Sequence, residues 1–273
     1  MISLIMMTYR PGGLDVFAQS FAGVDADYEL IVVDDYPGRV GRGEAQRFLK
    51  NRGIKLGWYG GSKHKSYFDT KGGLCNAMNT ALLHVRGNYT VWVSDYTVLP
   101  SCWPLQWLTV PQQAAKVIGH DRLLISGGGI VYYAQKPGKP GDVTTWDKAV
   151  QPVPKWPWVP REFETFYFGA PLKFFLEING VDERADHCHC WPVSSKIAQA
   201  KLLGYELLVE PSTACHMIDH RPWDSPDEPN PVGGEGLWRI THARSAPEEP
   251  EWTVPSPNPF NLKEERRKIL CDL

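Results

Sequence analysis

Three short apolar runs, each ending abruptly in polar groups, constrain this chain more than any other feature. They are Ile2-Ser-Leu-Ile-Met-Met-Thr-Tyr-Arg10, Tyr28-Glu-Leu-Ile-Val-Val-Asp-Asp35 and Gly87-Asn-Tyr-Thr-Val-Trp-Val-Ser-Asp95. Runs of this length suit strands of a parallel sheet buried on both faces, where no position has to be reserved for solvent. In such a sheet the residues just past the strand ends line the binding crevice. Thr8, Asp35 and Asp95 are therefore candidate site residues, and a nucleotide is the ligand class that this architecture serves.

Helical patterns separate the runs. After the breaker Pro11-Gly-Gly13, Leu14, Phe17, Ala18 and Phe21 recur at helical spacing. Gly43 to Asn51 reads as a short helix before a strand at 54–59, and the basic loop 60–71 precedes a helix with Leu74, Met78, Ala81, Leu82 and Val85 on its apolar face. This alternation predicts an α/β sheet with helices on both faces. Further on, 123–126 and 129–134 read as two strands, while 136–161 is rich in Pro, Gly and Trp and has no period, the mark of a functional or mobile insertion. Val193 to Leu203 predicts a helix with Ile197, Ala200 and Leu203 on one side, stopped by Gly204 and followed by a strand at 205–209. Prolines between His220 and Phe260 are too frequent for regular elements, and Glu264 to Leu270 suits a last helical turn with Lys263, Arg266, Arg267 and Lys268 as a solvated basic face. The expected organisation is one α/β domain over 1–219, with a nucleotide-binding half at 1–100 and an acceptor half at 101–219 carrying an insertion at 136–165. A Pro-rich arm or lid follows at 220–273.

In order and spacing these elements resemble the inverting family 2 glycosyltransferases of the GT-A fold, over residues 2–216. That family's turn after the first strand corresponds to Met7-Thr-Tyr-Arg10, and its Val-Val-Asp-Asp to Val32-Val-Asp-Asp35. Gly72, Asn79 and Gly87-Asn-Tyr89 match the helix and the entry to the strand that ends in Asp-x-Asp, here Ser94-Asp-Tyr96. Asn179-Gly-Val-Asp-Glu183, Gly204-Tyr205 and His216 match the later motifs. The resemblance implies a Rossmann-like single domain of GT-A type, with a mixed central sheet, that moves a sugar from a nucleotide sugar, UDP-sugar foremost, to an acceptor hydroxyl. Asp35 would accept the uracil imide proton or pair with ribose hydroxyls, and Thr8 and Tyr9 would wall the base. Lys71, beside the helix start at Gly72, would contact the nucleotide by charge, as the helix amino terminus would, or is a solvated loop lysine.

Two departures from the family pattern bear on the chemistry. The acidic ends of Asp-x-Asp are Ser94 and Tyr96, which leaves the central Asp95. Manganese or magnesium held by Asp95 and His216, with diphosphate oxygens and waters completing the shell, would stabilise the departing diphosphate; the alternative is a metal-free enzyme with His216 structural. The family's Glu-Asp pair before the last helix is also missing, the stretch reading Asp186-His-Cys-His-Cys-Trp-Pro192. Asp186 is then the first candidate for the base that deprotonates the acceptor and Asp182 the second, unless Asp182 and Glu183 form a turn and cap. His187, Cys188, His189 and Cys190 lack the paired knuckles of a structural zinc site, so a histidine base or a packed polar loop is the better reading.

Composition excludes little. The net charge of −2 favours neither nucleic acid nor an anionic membrane. No apolar run approaches the roughly 20 residues that span a bilayer, and the start lacks a signal-like pattern. A cytoplasmic protein is expected, the host cytoplasm if the chain is of the phage type. The 6 cysteines are too scattered for a disulfide framework. The 11 tryptophans suit packing of loop-rich regions singly and a wide acceptor groove together. The acceptor is either a glycan or, as in some phage-type members, a hydroxymethylated base of DNA. Rival readings are a nucleotide-sugar-binding protein that has lost catalysis and a nucleotidyltransferase on a related fold.

Overall fold

Residues on both faces of the first strands are buried, which is why they pair as the centre of a sheet. The computed structural model describes residues 1–8, 13–36, 41–62, 73–95, 97–133, 153–158, 167–187, 191–219 and 250–271. Within these, β1 (Ile2–Thr8), β2 (Tyr28–Asp34), β3 (Leu56–Gly60) and β4 (Tyr89–Ser94) are parallel neighbours in the order β3-β2-β1-β4. The sheet continues through β8 (Tyr167–Pro171), antiparallel to β4, then β6 (Leu123–Tyr133), β9 (Glu206–Asp219) and β5 (Thr97–Val98). β7 (Val153–Trp158) pairs with β6 off this path.

Strand alternation divides the core into two layers. Ile5, Ile31, Val33 and Trp92 face one side, packed with α3 (Leu74–His84), α5 (Leu172–Glu177), α6 (Trp191–Leu202) and α7 (Leu262–Cys271). Leu4, Met6, Leu30, Val32, Val91 and Val93 face the other, packed with α1 (Gly13–Ala18), α2 (Arg42–Asn51) and α4 (Trp103–Ile118). β1 is the switch point: the chain moves to one side of it for β2 and β3, and to the other for β4. The crevice outside its carboxyl end is where such a sheet binds ligands.

Several elements differ from expectation. The two predicted strands at 123–126 and 129–134 are one strand, β6, up to its described end at Tyr133, because Gly127, Gly128 and Gly129 stay in the ladder with β9. A Cβ at Gly127 would meet the Thr213 carbonyl and the Tyr167 ring, so glycine permits that approach. β9 does not stop near Val209. Gly127 pairs with Glu210 and Gly128 with Ala214, so Pro211–Thr213 bulge out and the strand resumes to Asp219. Proline lacks the ladder donor and is tolerated at a bulge. The expected insertion contains β7, whose Pro154 and Pro157 sit on a strand joined to β6 alone. Helix α6 begins at Trp191 rather than Val193, and β3 is displaced to Leu56–Gly60.

Of the basic face expected on the last helix, Lys263, Arg267 and Lys268 are exposed and Arg266 is not. Arg266 is buried, 8% exposed, and donates from both terminal nitrogens to the carbonyls of Leu82 and, at 2.7 Å, Val85. These carbonyls close the carboxyl end of α3, where backbone acceptors lack intrahelical partners and a cation is favoured. Leu262 joins the core beside it, and Trp252, Val254, Phe260 and Ile269 pack on the same cluster. Residues 220–249 of the expected arm lie outside the described residues.

Losing the guanidinium leaves two buried carbonyls without their donor. Arg266→Ala is expected to destabilise the fold by about 3 kcal/mol, from two charge-assisted hydrogen bonds at roughly 1.5 kcal/mol each. Arg266→Lys should recover only part of this, since one ammonium cannot reproduce the fork; urea unfolding midpoints of the three proteins check both.

Candidate active site

The polar residues at the carboxyl edge converge because β1 holds β2 and β4 in register. Thr8 lies opposite Asp34 on β2, and Met7 opposite Ser94 on β4. The Thr8 hydroxyl donates to Asp95 Oδ2 at 3.2 Å, and the Asp35 N–H donates to the Thr8 carbonyl at 2.9 Å. Thr8 and Asp95 are both buried, at 2% exposed. The start of α1 closes over this contact: a Cβ on Gly13 would lie 2.9 Å from Asp95 Cβ and 3.2 Å from the Thr8 hydroxyl.

The two aspartates after β2 separate by strand alternation. Asp34 points inward, accepting from the Tyr36 N–H at 3.1 Å and from the Tyr59 hydroxyl. Asp35 is half-buried at the edge, its carboxylate oriented by the Ser62 N–H at 2.8 Å and the Ser62 hydroxyl at 2.5 Å. His216 stands on β9 opposite Val98, three residues beyond Asp95. It is half-buried, and burial lowers its pKa, which keeps the imidazole neutral and able to ligate a metal. Among the described residues no group of three or more His, Cys, Asp or Glu is placed to hold a metal ion. Tyr9, Lys71 and Cys188–Cys190 lie outside the described residues.

A second polar cluster forms where α3 begins. α3 leads from the carboxyl edge of β3 back to the start of β4, so its first turn opens at the crevice side. Asp186 comes from the 3-10 turn Glu183–His187 and is 1% exposed. Its carboxylate accepts from the N–H of Cys75 at 2.5 Å and of Asn76 at 3.1 Å, capping α3 from 110 residues away. A Cβ on Gly73 would overlap that carboxylate. Glu183 Oε1 accepts from the side chains of Asn76 and Asn79, at 3.3 and 3.0 Å. Lys196, fully buried on α6, reaches Met78 Sδ at 3.8 Å. Burial pushes the Asp186 carboxyl up to about 7, Glu183 adding to the rise while the Cys75 and Asn76 N–H groups oppose it. Burial pulls Lys196 down to about 8, against the influence of Cys75 and Asp186.

The expected meeting of this helix's amino terminus with a nucleotide is corrected. The N–H groups of Cys75 and Asn76, which would face a phosphate, are taken by Asp186. Asp182 is fully buried and caps its own turn, accepting from the Arg184 N–H at 3.0 Å while Arg184 Nε and Nη2 hold both its oxygens. Lys196 was not singled out from sequence. The signal was present as polar Lys196 and Gln199 sharing the spacing of Ala200 and Leu203, the stripe read as apolar.

With this geometry established, comparison with known proteins decides the fold. Neither a protein-family model nor a curated protein sequence matches the chain. Among solved structures, GalNAc-T7 with UDP, GalNAc and Mn2+ matches at a TM-score of 0.57 and 15% identity, over 88% of this chain and 47% of that one. S. aureus TarS matches at a TM-score of 0.49 and 15% identity, over 80% of this chain and 36% of that one. The chain thus spans less than half the length of either neighbour.

The fold is GT-A.

In GT-A terms, the Thr8–Asp95 contact lies at the head of the sheet's parallel half, and the Asp186 cluster lies at the first turn of α3. Asp186 holds a buried charge that a cap does not require, since Asn and Ser satisfy helix N–H groups as well. Its carboxyl is near 7 when folded against an ordinary 3.8. The folded state therefore holds a proton that the unfolded chain has released, and this group subtracts stability as pH rises from 3.8 to about 7. Asp186→Asn keeps a cap acceptor and removes the charge. Relative to the native chain it should gain stability from pH 4 to pH 8, by on the order of 4 kcal/mol, measurable as paired urea titrations at the two pH values.

Proposed function

We propose that this chain is a glycosyltransferase that moves a sugar from a UDP-sugar to an acceptor hydroxyl with inversion. The observation that carries the reading is the meeting of Thr8, Asp35 and Asp95 at the switch point of a GT-A sheet. The ligands named with GalNAc-T7, UDP, GalNAc and Mn2+, support the choice of donor and metal. Asp35 receives the uracil imide or ribose hydroxyls, with Ser62 fixing its carboxylate. Thr8 and Tyr9 wall the base, and Lys71 meets the nucleotide by charge.

Asp95 and neutral His216 are a donor set that suits Mn2+ or Mg2+ when diphosphate oxygens and waters supply the remaining positions. A metal there supplies positive charge to the leaving diphosphate. In the transfer, the acceptor oxygen attacks the anomeric carbon in line, the bond to the diphosphate oxygen breaks, and the acceptor proton passes to a base. Asp186 is that base in this reading: its carboxyl lies near 7, where a general base works best, while Arg184 holds both oxygens of Asp182. The acceptor is a glycan or a hydroxymethylated base of DNA, and the enzyme works in the cytoplasm.

Calorimetry tests the donor half. UDP should bind more tightly with Mn2+ than without, and Asp95→Ala should lose the metal-dependent part; absence of UDP binding under either condition overturns the reading. Turnover tests the other half, with glycans and hydroxymethylated DNA both offered as acceptors. Asp186→Asn should lower kcat about 100-fold or more while UDP affinity holds, the loss general-base catalysis predicts. Tight UDP binding without transfer or hydrolysis would instead mark a binding protein.

A further inference from the structure

Asp186 owes its place in part to residues 256–262, far from it in sequence. The turn leading into it, Ile178–Glu183, makes no regular repeat: Asn179 and Gly180 sit at φ 60° and 79°. Its backbone groups need partners from elsewhere: Asn79 on α3 takes the Val181 N–H and donates to the Val181 carbonyl, and residues 256–262 supply several of the others. Asn258 Oδ1 accepts the Glu183 N–H at 3.1 Å, and its Nδ2 donates to the carbonyls of Asn179 and Val181, each at 2.9 Å. Ser256 donates its N–H to the Ile178 carbonyl at 2.7 Å and its hydroxyl to the Gly180 carbonyl at 2.9 Å. The Leu262 N–H, in turn, donates to Asn179 Oδ1 at 2.8 Å.

These contacts meet the site at Glu183, the first residue of the turn that carries Asp186. Held there by Asn258, Glu183 fixes Asn76 and Asn79 on α3, and Asp186 follows within the same turn to take the Cys75 and Asn76 N–H groups. Among the described residues, the ionisable groups acting on Asp186 are Cys75 from α3, Glu183 from its own turn and Lys196 from α6. None belongs to the C-terminal segment, and Asn258 is neutral, so Asn258 acts through position and not through charge.

We propose that Asn258 is a positioning residue that holds the 183–187 turn, and with it Asp186, against the head of α3. The catalytic consequence rests on the role proposed for Asp186; the structural half stands without it. Losing Asn258 takes the acceptor from the Glu183 N–H and the donor from the Asn179 carbonyl, while the Val181 carbonyl keeps Asn79 Nδ2 at 2.9 Å, so the Glu183 end of the turn shifts toward solvent and water reaches the carboxylate. Its desolvation falls, and its titration moves toward that of an ordinary aspartate.

The amide resonances of Cys75 and Asn76 report the ionisation of Asp186 through the two hydrogen bonds they donate. In the full native chain both should titrate with a midpoint near 7, and in Asp186→Asn neither should. Asn258→Ala is expected to lower the midpoint by at least one pH unit, a tenfold change in the ionisation equilibrium, and to move the acid limb of kcat with it while KM for the UDP-sugar holds. Ser256→Ala, a milder change, should shift the midpoint the same way and serves the comparison if Asn258→Ala does not fold. Ser3→Ala, which cuts the buried Ser3–Glu29 bond, controls for stability alone and should leave the midpoint in place. An unmoved midpoint in the folded arm variants overturns the proposal. A moved midpoint in a chain without turnover sinks the transferase reading and leaves the positioning role intact.

Discussion

A carboxylate buried at the head of a helix is the interaction on which the packing of α3, α6 and the 183–187 turn depends. Asp186 joins a turn at 183–187 to a helix that begins at Leu74, and Lys196 on a third element is close enough to influence it. Burying such a charge is costly, and the helix N–H groups offset only part of that cost. The result is a carboxyl that titrates in the neutral range inside a rigid frame. General acid–base chemistry asks for this combination, which a solvated loop carboxylate does not offer.

The cluster at the carboxyl edge of the sheet is built on a different constraint. There the polar groups are fixed by strand register: Thr8, Asp34 and Ser94 reach the same edge because β1 is paired on both sides. Each side chain is then trimmed by a local partner, Thr8 for Asp95, Tyr59 for Asp34 and Ser62 for Asp35. Sheet pairing gives the coarse position and single hydrogen bonds give the fine one.

This division explains what could be read from the sequence. The parallel half was legible because strands buried on both faces leave unbroken apolar runs, and their polar ends marked Thr8, Asp35 and Asp95 before any coordinates. The head of α3 was not legible in the same way. Asp186 caps it across 110 residues of sequence, and no local pattern announces a cap supplied from so far away. Arg266 and Lys196 were misread or passed over for a related reason: charged residues are nearly always solvated, and only partners distant in sequence, the α3 carbonyls and the α3 head, bring these two inside. The strand expected over 205–209 runs on to Asp219 because a bulge at Pro211–Thr213 absorbs a proline that lacks the ladder donor.

The packing of residues 250–271 also sets an order of events. The motifs that resemble those of glycosyltransferases lie before residue 217, yet the turn beneath Asp186 takes part of its hydrogen bonding from Ser256, Asn258 and Leu262, beside what Asn79 gives it. A growing chain therefore carries every residue of both polar clusters before it carries all the hydrogen-bond partners of that turn.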